Sequence, residues 1–328
     1  MTNAVNLASA AGTGFAFRNR IINGGFDVWQ RATSHSAIGY GSADRWQVFT
    51  SSTSLTRSTD VPTGFIYSCL MTGTSVTNAQ FSQRIEALNC ADLVGQPITV
   101  SFWAKSTSGS SQLGVILHSA NATDNFSGVT VINSQLYTLT STWTRYSVTL
   151  TTSAPAAAAN GVQVLFYRNG TESSTTFITG VQLEVGSVAT PFERRPYGQE
   201  LALCQRYFCK SSSLNVVPVN GAAYATAGMF FSSVAGAYLT TAAYTPFMKF
   251  PVTMRTEPAT ITIYNTNLPS PSTAGQWSIF SPSGGVWYNC SVSAQSVTQE
   301  GWAAALAGSW GSSGGLPLYG AWAASAEL

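Results

Sequence analysis

The sequence predicts an all-β protein: a β-sandwich or barrel in the first part of the chain and a second β unit after it. Three observations predict this. Runs with period-2 alternation recur along the chain, clusters of Gly, Ser, Asn and Pro separate them, and helical patterning is nearly absent between residues 19 and 190. Alternation marks strands with one buried face, and short strands punctuated by turn signals are the pattern of sandwiches and barrels.

The elements follow in order. Residues 97–103, PITVSFW, set Ile98, Val100 and Phe102 against Thr99, Ser101 and Trp103. Residues 143–150, WTRYSVTL, set Tyr146, Val148 and Leu150 against Arg145, Ser147 and Thr149. GVQVLFY (161–167) and TTFITGVQL (175–183) continue the pattern. STSGSS (106–111), SAPAAAANG (153–161) and RNGTESS (168–174) read as the turns between them. Glu200 to Phe208 is the exception: Leu201, Cys204 and Phe208 recur at helical spacing over about two turns. A helix this short is marginal alone, so it packs either on its own domain or on copies of itself from neighbouring chains. Beyond residue 212 only Lys249, Arg255, Glu257, Glu300 and Glu327 are charged. Strand-like pieces remain at 227–234, 247–252, 259–264, 285–292, 301–306 and 317–324. Loops such as NTNLPSPSTAGQW and AGSWGSSGG lie between some of them, and the whole reads as a second all-β domain.

Composition bounds the function. Charged residues make up 9% of the chain, against about 25% in ordinary globular proteins. Hydrophobic residues make up 45%, which excludes a disordered chain. A net charge of +2 gives no electrostatic footprint for nucleic acid or an acidic membrane. Weak self-repulsion favours an obligate oligomer. No apolar run reaches the roughly 18 residues of a membrane span, and residues 1–20 lack the pattern of a signal peptide. The cysteines Cys69, Cys90, Cys204, Cys209 and Cys290 are odd in number and irregularly spaced, neither a disulfide framework nor a zinc site. They read as small buried residues of a chain folded in a reducing cytosol.

No catalytic constellation stands out. His35 and His118 are the only histidines, and neither lies near a nucleophile motif. Acids such as Asp44 and Glu184 read as structural partners of nearby arginines rather than a glycosidase pair. No Gly-rich loop leads from strand to helix, and no cofactor or metal is expected. Aromatics are the richer signal: Trp277, Trp287, Tyr288, Trp302, Trp310, Tyr319 and Trp322 crowd the end of the chain. An indole offers a flat apolar face and one N–H donor, which suits the CH face and hydroxyl rim of a sugar. Trp277 and Trp310 lie in Ser/Gly/Pro segments, which makes them the better candidates for an exposed pair, although core or inter-subunit packing is the commoner role for each. In GGVWYNCSV, alternation puts Val286 and Tyr288 on one face and Trp287 on the other. Trp277, Trp310 and Trp287 are the candidate ligand-binding residues.

Three stretches together resemble a known group. They are NRIINGGFDVWQRATS (19–34) with YGSADRWQVF (40–49), QLEVGSVATPFERRPYGQELALCQRYF (182–208) and YGAWAASAEL (319–328). The combination resembles the tail-fibre and virion-appendage proteins of tailed bacteriophages, and residues 19–195 are similar to the jelly-roll sandwich of carbohydrate-binding modules. The resemblance implies a plan. Residues 1–18 are a virion attachment arm and 19–195 a jelly-roll β-sandwich. Residues 196–212 are a short helical junction, and 213–328 are a β-sandwich-like tip domain. Gln182-Leu183-Glu184 closes the sandwich, Pro191 ends the sheet and Phe192 plugs its end. Arg194, Arg195 and Pro196 form a stiff connector, and Gly198 turns the chain into the helix. Such fibres are usually homotrimers, so Leu201, Cys204 and Phe208 are expected to meet their copies on an axis. No coiled-coil or collagen-like shaft is present, which implies a short appendage.

The expected function is that of a non-enzymatic fibre or appendage protein of a virion assembled in the bacterial cytoplasm. Its expected partners are itself, other virion proteins through the arm, and host-surface glycans. The alternative is a purely structural virion protein of baseplate, collar or head decoration. A capsule-degrading enzyme would need a cleft of paired acids, which the second domain hardly supplies. A secreted carbohydrate-binding protein fits the N-terminus and the cysteine count less well.

Overall fold

The computed structural model describes residues 18–73, 79–107, 111–150, 154–169, 175–221, 230–234, 242–265, 273–281, 284–308 and 316–328. Residues 1–17, which hold nearly all of the expected attachment arm, and Trp310 lie outside the described residues.

The described chain is all-β with one α-helix, α1 (Tyr197–Gln205), and three short 3-10 turns. Strands are numbered β1 to β21 in chain order. The first sheet runs β1 (Ser34–His35), β4 (Thr53–Ser58), β5 (Ser68–Gly73), β12 (Thr176–Val185), β7 (Ile98–Ser106) and β10 (Thr144–Thr149). The second runs β2 (Gly39–Tyr40), β3 (Gln47–Val48), β6 (Gln80–Ile85), β11 (Val162–Asn169), β8 (Gln112–Ala122) and β9 (Asn125–Thr138). Both are antiparallel throughout.

The alternation in the sequence explains how they pack. Val100, Phe102 and Ala104 of β7, with Ile178 and Leu183 of β12, share one core with Leu113 and Val115 of β8 and Val164 and Phe166 of β11. The Phe102 and Phe166 rings meet edge to face across the two sheets at 5.1 Å. Trp46, fully buried, stacks on Phe26 at 5.1 Å and closes the core beside Phe81. β12 is the last strand of this pair of sheets in sequence and central in its own.

The third sheet has nine described strands: β13 (Phe208–Lys210), β21 (Leu316–Ser325), β18 (Gln276–Ser281), β19 (Val286–Gln295), β20 (Gly301–Ala307) and β15 (Ala242–Tyr244) in line. β14 (Phe230–Val234) and β17 (Thr260–Tyr264) also pair with β21, and β16 (Met248–Lys249) with β20. Its core holds Trp277, Trp302, Trp322, Cys290 and Leu318.

Helix α1 differs from expectation in extent and in partner. It starts at Tyr197 after Pro196, so Gly198 lies inside it rather than before it, and Phe208 already begins β13. Cys204 is 0% exposed and packs with Ile22, Val28 and Tyr207, with Leu201 and Leu203 against them. Phe208 is buried under the Arg31 guanidinium, 3.8 Å from its ring centre. The stripe therefore faces the chain's own N-terminal segment, which removes Cys204 and Phe208 from any axis between copies. The reason is local: Ile22 and Val28 flank a fixed turn, and α1 is the apolar surface that covers them. Phe192 also departs from its expected place. It lies outside the core, against Phe65 at 5.2 Å.

Candidate functional site

The outer face of the first sheet is divided in two by the connector that follows β12. Thr99, Ser101, Gln182 and Glu184 alternate with core residues and point outward, yet all four are buried. The chain from Gly186 to Glu193 lies over them. Glu184 accepts hydrogen bonds from Thr190 N at 2.9 Å and Thr190 Oγ1 at 2.6 Å. Gln182 Oε1 accepts from Glu193 N at 2.8 Å, and its amide donates to Glu184 at 2.8 Å. Arg145 reaches Ser101 Oγ at 3.0 Å and also the Thr190 carbonyl. Glu184 thus anchors this strap by hydrogen bonds, not by the arginine pair read from the sequence.

The other half of the face is aromatic and half-buried. The register aligns Phe177 of β12 with Lys105 of β7, and Trp103 of β7 with Arg145 of β10, two residues after Trp143. Trp103, Trp143, Phe177 and Lys105 are each half-buried. The rings of Trp143 and Phe177 meet edge to face at 6.3 Å. The Lys105 ammonium sits 5.6 Å from the Trp143 ring and 5.1 Å from the Phe177 ring. Asp60 fixes both: it pairs with Lys105 Nζ at 2.6 Å and accepts from Trp143 Nε1 at 3.1 Å. The Lys105 hydrogen bond, reinforced by Trp143, holds the Asp60 carboxyl below the usual carboxylate range. The result is a set of ring faces braced by a charged pair. Such a surface can stack on the CH face of a sugar while donors and acceptors meet its hydroxyls.

The ligand-binding tryptophans read from the sequence fare differently. Trp277 is 0% exposed, which corrects its reading as an exposed indole. It lies on β18, its Nε1 donates to the Ala321 carbonyl at 3.2 Å, and its ring packs 5.8 Å from Trp302. Gly320 makes room for it: a Cβ there would stand 2.0 Å from Trp277 Cδ1. Trp287 is half-buried on the other face of the third sheet, in a row with Phe280 at 5.0 Å and Tyr319 at 5.1 Å. Trp310 lies outside the described residues. The Trp103–Trp143–Phe177 face was not singled out by sequence reasoning. The signal was present, because alternation set Trp103 opposite Phe102, but Trp143 and Phe177 become its neighbours only through strand register.

Chemistry of other kinds finds little. Among the described residues no group of three or more metal-ligating side chains comes together, and the five cysteines are free and buried. Among the described residues no helix is long and apolar enough to cross a membrane.

The fold and this face together define an all-β chain with an aromatic sheet surface. No family model matches it, and no curated protein matches it. Solved structures do. The enzymatically active domain of bacteriophage CBA120 tailspike protein 4 is 18% identical at a TM-score of 0.37, over 52% of this chain and 22% of that one. This chain thus overlaps about a fifth of the tailspike chain. A putative sugar-binding protein from Bacteroides thetaiotaomicron is 16% identical at a TM-score of 0.37, over 51% of this chain and all of that one. The CBM22-1 xylan-binding domain from Paenibacillus barcinonensis Xyn10C is 13% identical at a TM-score of 0.31, over 48% of this chain and 94% of that one.

Proposed function

We propose that this chain is a non-enzymatic glycan-binding appendage protein of a bacteriophage virion, with a jelly-roll sandwich as its binding body. One observation carries the binding role: half-buried Trp143 and Phe177 stand around the Lys105–Asp60 pair, and half-buried Trp103 lies two residues from Lys105 along β7. A single stacked sugar gains little, so one site binds weakly, and several copies on a particle raise the avidity. This agrees with the proposed homotrimer, mounted through residues 1–18. The virion setting rests on the three stretches that resemble phage appendage proteins.

A second reading, a purely structural virion protein, is favoured by one fact: parts of those same stretches pair with one another in a buried junction, through Arg31, Arg45 and Glu327 and through Gln30 and Phe208. The Trp287–Phe280–Tyr319 row is the rival location for a binding face, on the tip. The test uses the full chain on a dense array of neutral glycans, beside gold-labelled antibody on virions. Binding that Trp143→Ala lowers about tenfold or more, with label on the particle, supports the proposal. Label without any glycan binding leaves the structural reading in its place.

A further inference from the structure

The aromatic face does not end at Trp103. Gly180, at φ +62°, lies on the strap side of that ring, and a Cβ there would stand 2.7 Å from Phe65 and 3.0 Å from Trp103. Both rings therefore close over the same bare point of the sheet. Phe65 in turn carries the Arg194 guanidinium 5.2 Å from its ring centre. Arg194 lines a cleft of about 530 Å³ between the 61–67 loop, Asp27 and the start of α1. That volume lies in the roughly 300–1,000 Å³ range of small-molecule sites.

The cleft has a fixed wall and an open one. Glu200 and Arg195 form the fixed wall, paired at 3.3 Å and tied to the backbone at Asn23 and Ile21. Tyr67 and Tyr197 supply ring surface, and Tyr197 is 53% exposed on the first turn of the helix. Asp27 is only partly satisfied. Its Oδ2 meets Arg194 at 3.4 Å and is the oxygen left to meet a ligand, since Oδ1 is buried in the protein. Two carboxylates and two guanidiniums leave the lining neutral, so no charged ligand is favoured. What fits is a neutral molecule with an apolar ring face for tyrosine and hydroxyl donors for a carboxylate.

We propose that this cleft holds the end unit of a neutral oligosaccharide whose following units lie over Phe65, Trp103 and Trp143. The inference rests on the glycan-binding reading and adds to it the class of ligand, an unbranched chain bound by its end. Asp27 accepts from hydroxyls of the end unit, Tyr197 stacks on its ring, and Arg194 donates at the junction with the next unit.

Saturation-transfer NMR on the full chain tests this, with free glucose, galactose and mannose as one probe set and maltohexaose and cellohexaose as the other. The variants are Tyr197→Ala, Asp27→Asn and Trp143→Ala, each checked to melt like the parent. The cleft predicts transfer to at least one monosaccharide that Tyr197→Ala and Asp27→Asn each weaken more than Trp143→Ala does. It also predicts about tenfold tighter binding of a hexasaccharide than of that monosaccharide, reduced by Trp143→Ala. Transfer to no monosaccharide, or transfer that Tyr197→Ala does not change, overturns the cleft. Hexasaccharide binding that depends on Trp143 and ignores Tyr197 and Asp27 overturns it too, while leaving the glycan-binding reading standing.

Discussion

At Gly320 and Gly180 a missing side chain decides where an aromatic ring can lie. Gly320 lets Trp277 press on the backbone of β21, so Gly320→Ala forces that ring or strand to move. A loss of about 1–3 kcal/mol is expected for such overpacking, read as a lower urea midpoint. Gly180 holds a left-handed backbone as well as two rings, so Gly180→Ala should lose at least as much and should also disturb glycan binding. Neither role was legible in the sequence. Trp277 stands in a Ser/Gly/Pro segment, and only the pairing of β18 with β21 shows that the segment has already become a core strand. Asp44 gives a pH prediction. Burial pushes its carboxyl up to about 6, against Arg31 at 3.5 Å and a hydrogen bond from Gln30. The folded chain then holds the proton more tightly than the unfolded one, so this residue's contribution is greatest at acid pH. It is lost as pH rises from the ordinary value of 3.8 through about 6. Asp44→Asn should remove that slope. Unfolding curves of parent and variant that keep a constant separation from pH 4 to pH 7 would reject it.

Elements that alternate strictly were readable, and elements defined by a partner were not. β7, β10, β11 and β12 lie where period 2 placed them, because each has one face in a shared core. β4, β5, β6, β8 and β9 were not singled out, and β15 and β18 were missed, since one is three residues long and the other follows a proline-rich loop. The helix was readable as a helix, but its stripe is equally apolar whether it meets its own sandwich or its copies. Its three-dimensional partner is Ile22 and Val28. A charge at fully buried Cys204 should therefore unfold the junction within one chain: Cys204→Asp is expected to cost about 3 kcal/mol or more. Leu201→Asp, at a half-buried position, should cost about 1–2 kcal/mol. Thermal melts at several protein concentrations check this. A melting temperature that falls only on dilution would mean that the stripe joins copies after all.

On the scale of the whole molecule, the three stretches that carry the family resemblance converge on one place. Glu327 pairs with Arg31 at 2.9 Å and with the buried Arg45, and Arg84 donates to the Leu328 carbonyl at 2.6 Å. Arg45 also lies 3.5 Å over the Tyr207 ring, and Gln30 donates to the Phe208 carbonyl at 3.0 Å. Burial opposes the Arg45 charge, and the Glu327 carboxylate outweighs it, holding the guanidinium above its ordinary range. Several of the scarce charges of the chain thus lie where the first two sheets meet the third. Glu327→Gln leaves Arg45 buried without its counter-ion and should cost about 3–5 kcal/mol, with the two β regions melting separately in calorimetry. The motifs were legible as a set, but nothing in one dimension says that they touch. The residues of the proposed binding face were the least legible, because that face is made by register between strands far apart in sequence. The most direct measurement is adhesion of the full chain to intact host cells, comparing the parent with Trp103→Ala/Trp143→Ala and with Trp287→Ala, melting temperatures held as a control. The sandwich double variant should lose adhesion about a hundredfold while Trp287→Ala adheres like the parent. Unchanged adhesion by the double variant, or a loss confined to Trp287→Ala, would contradict it.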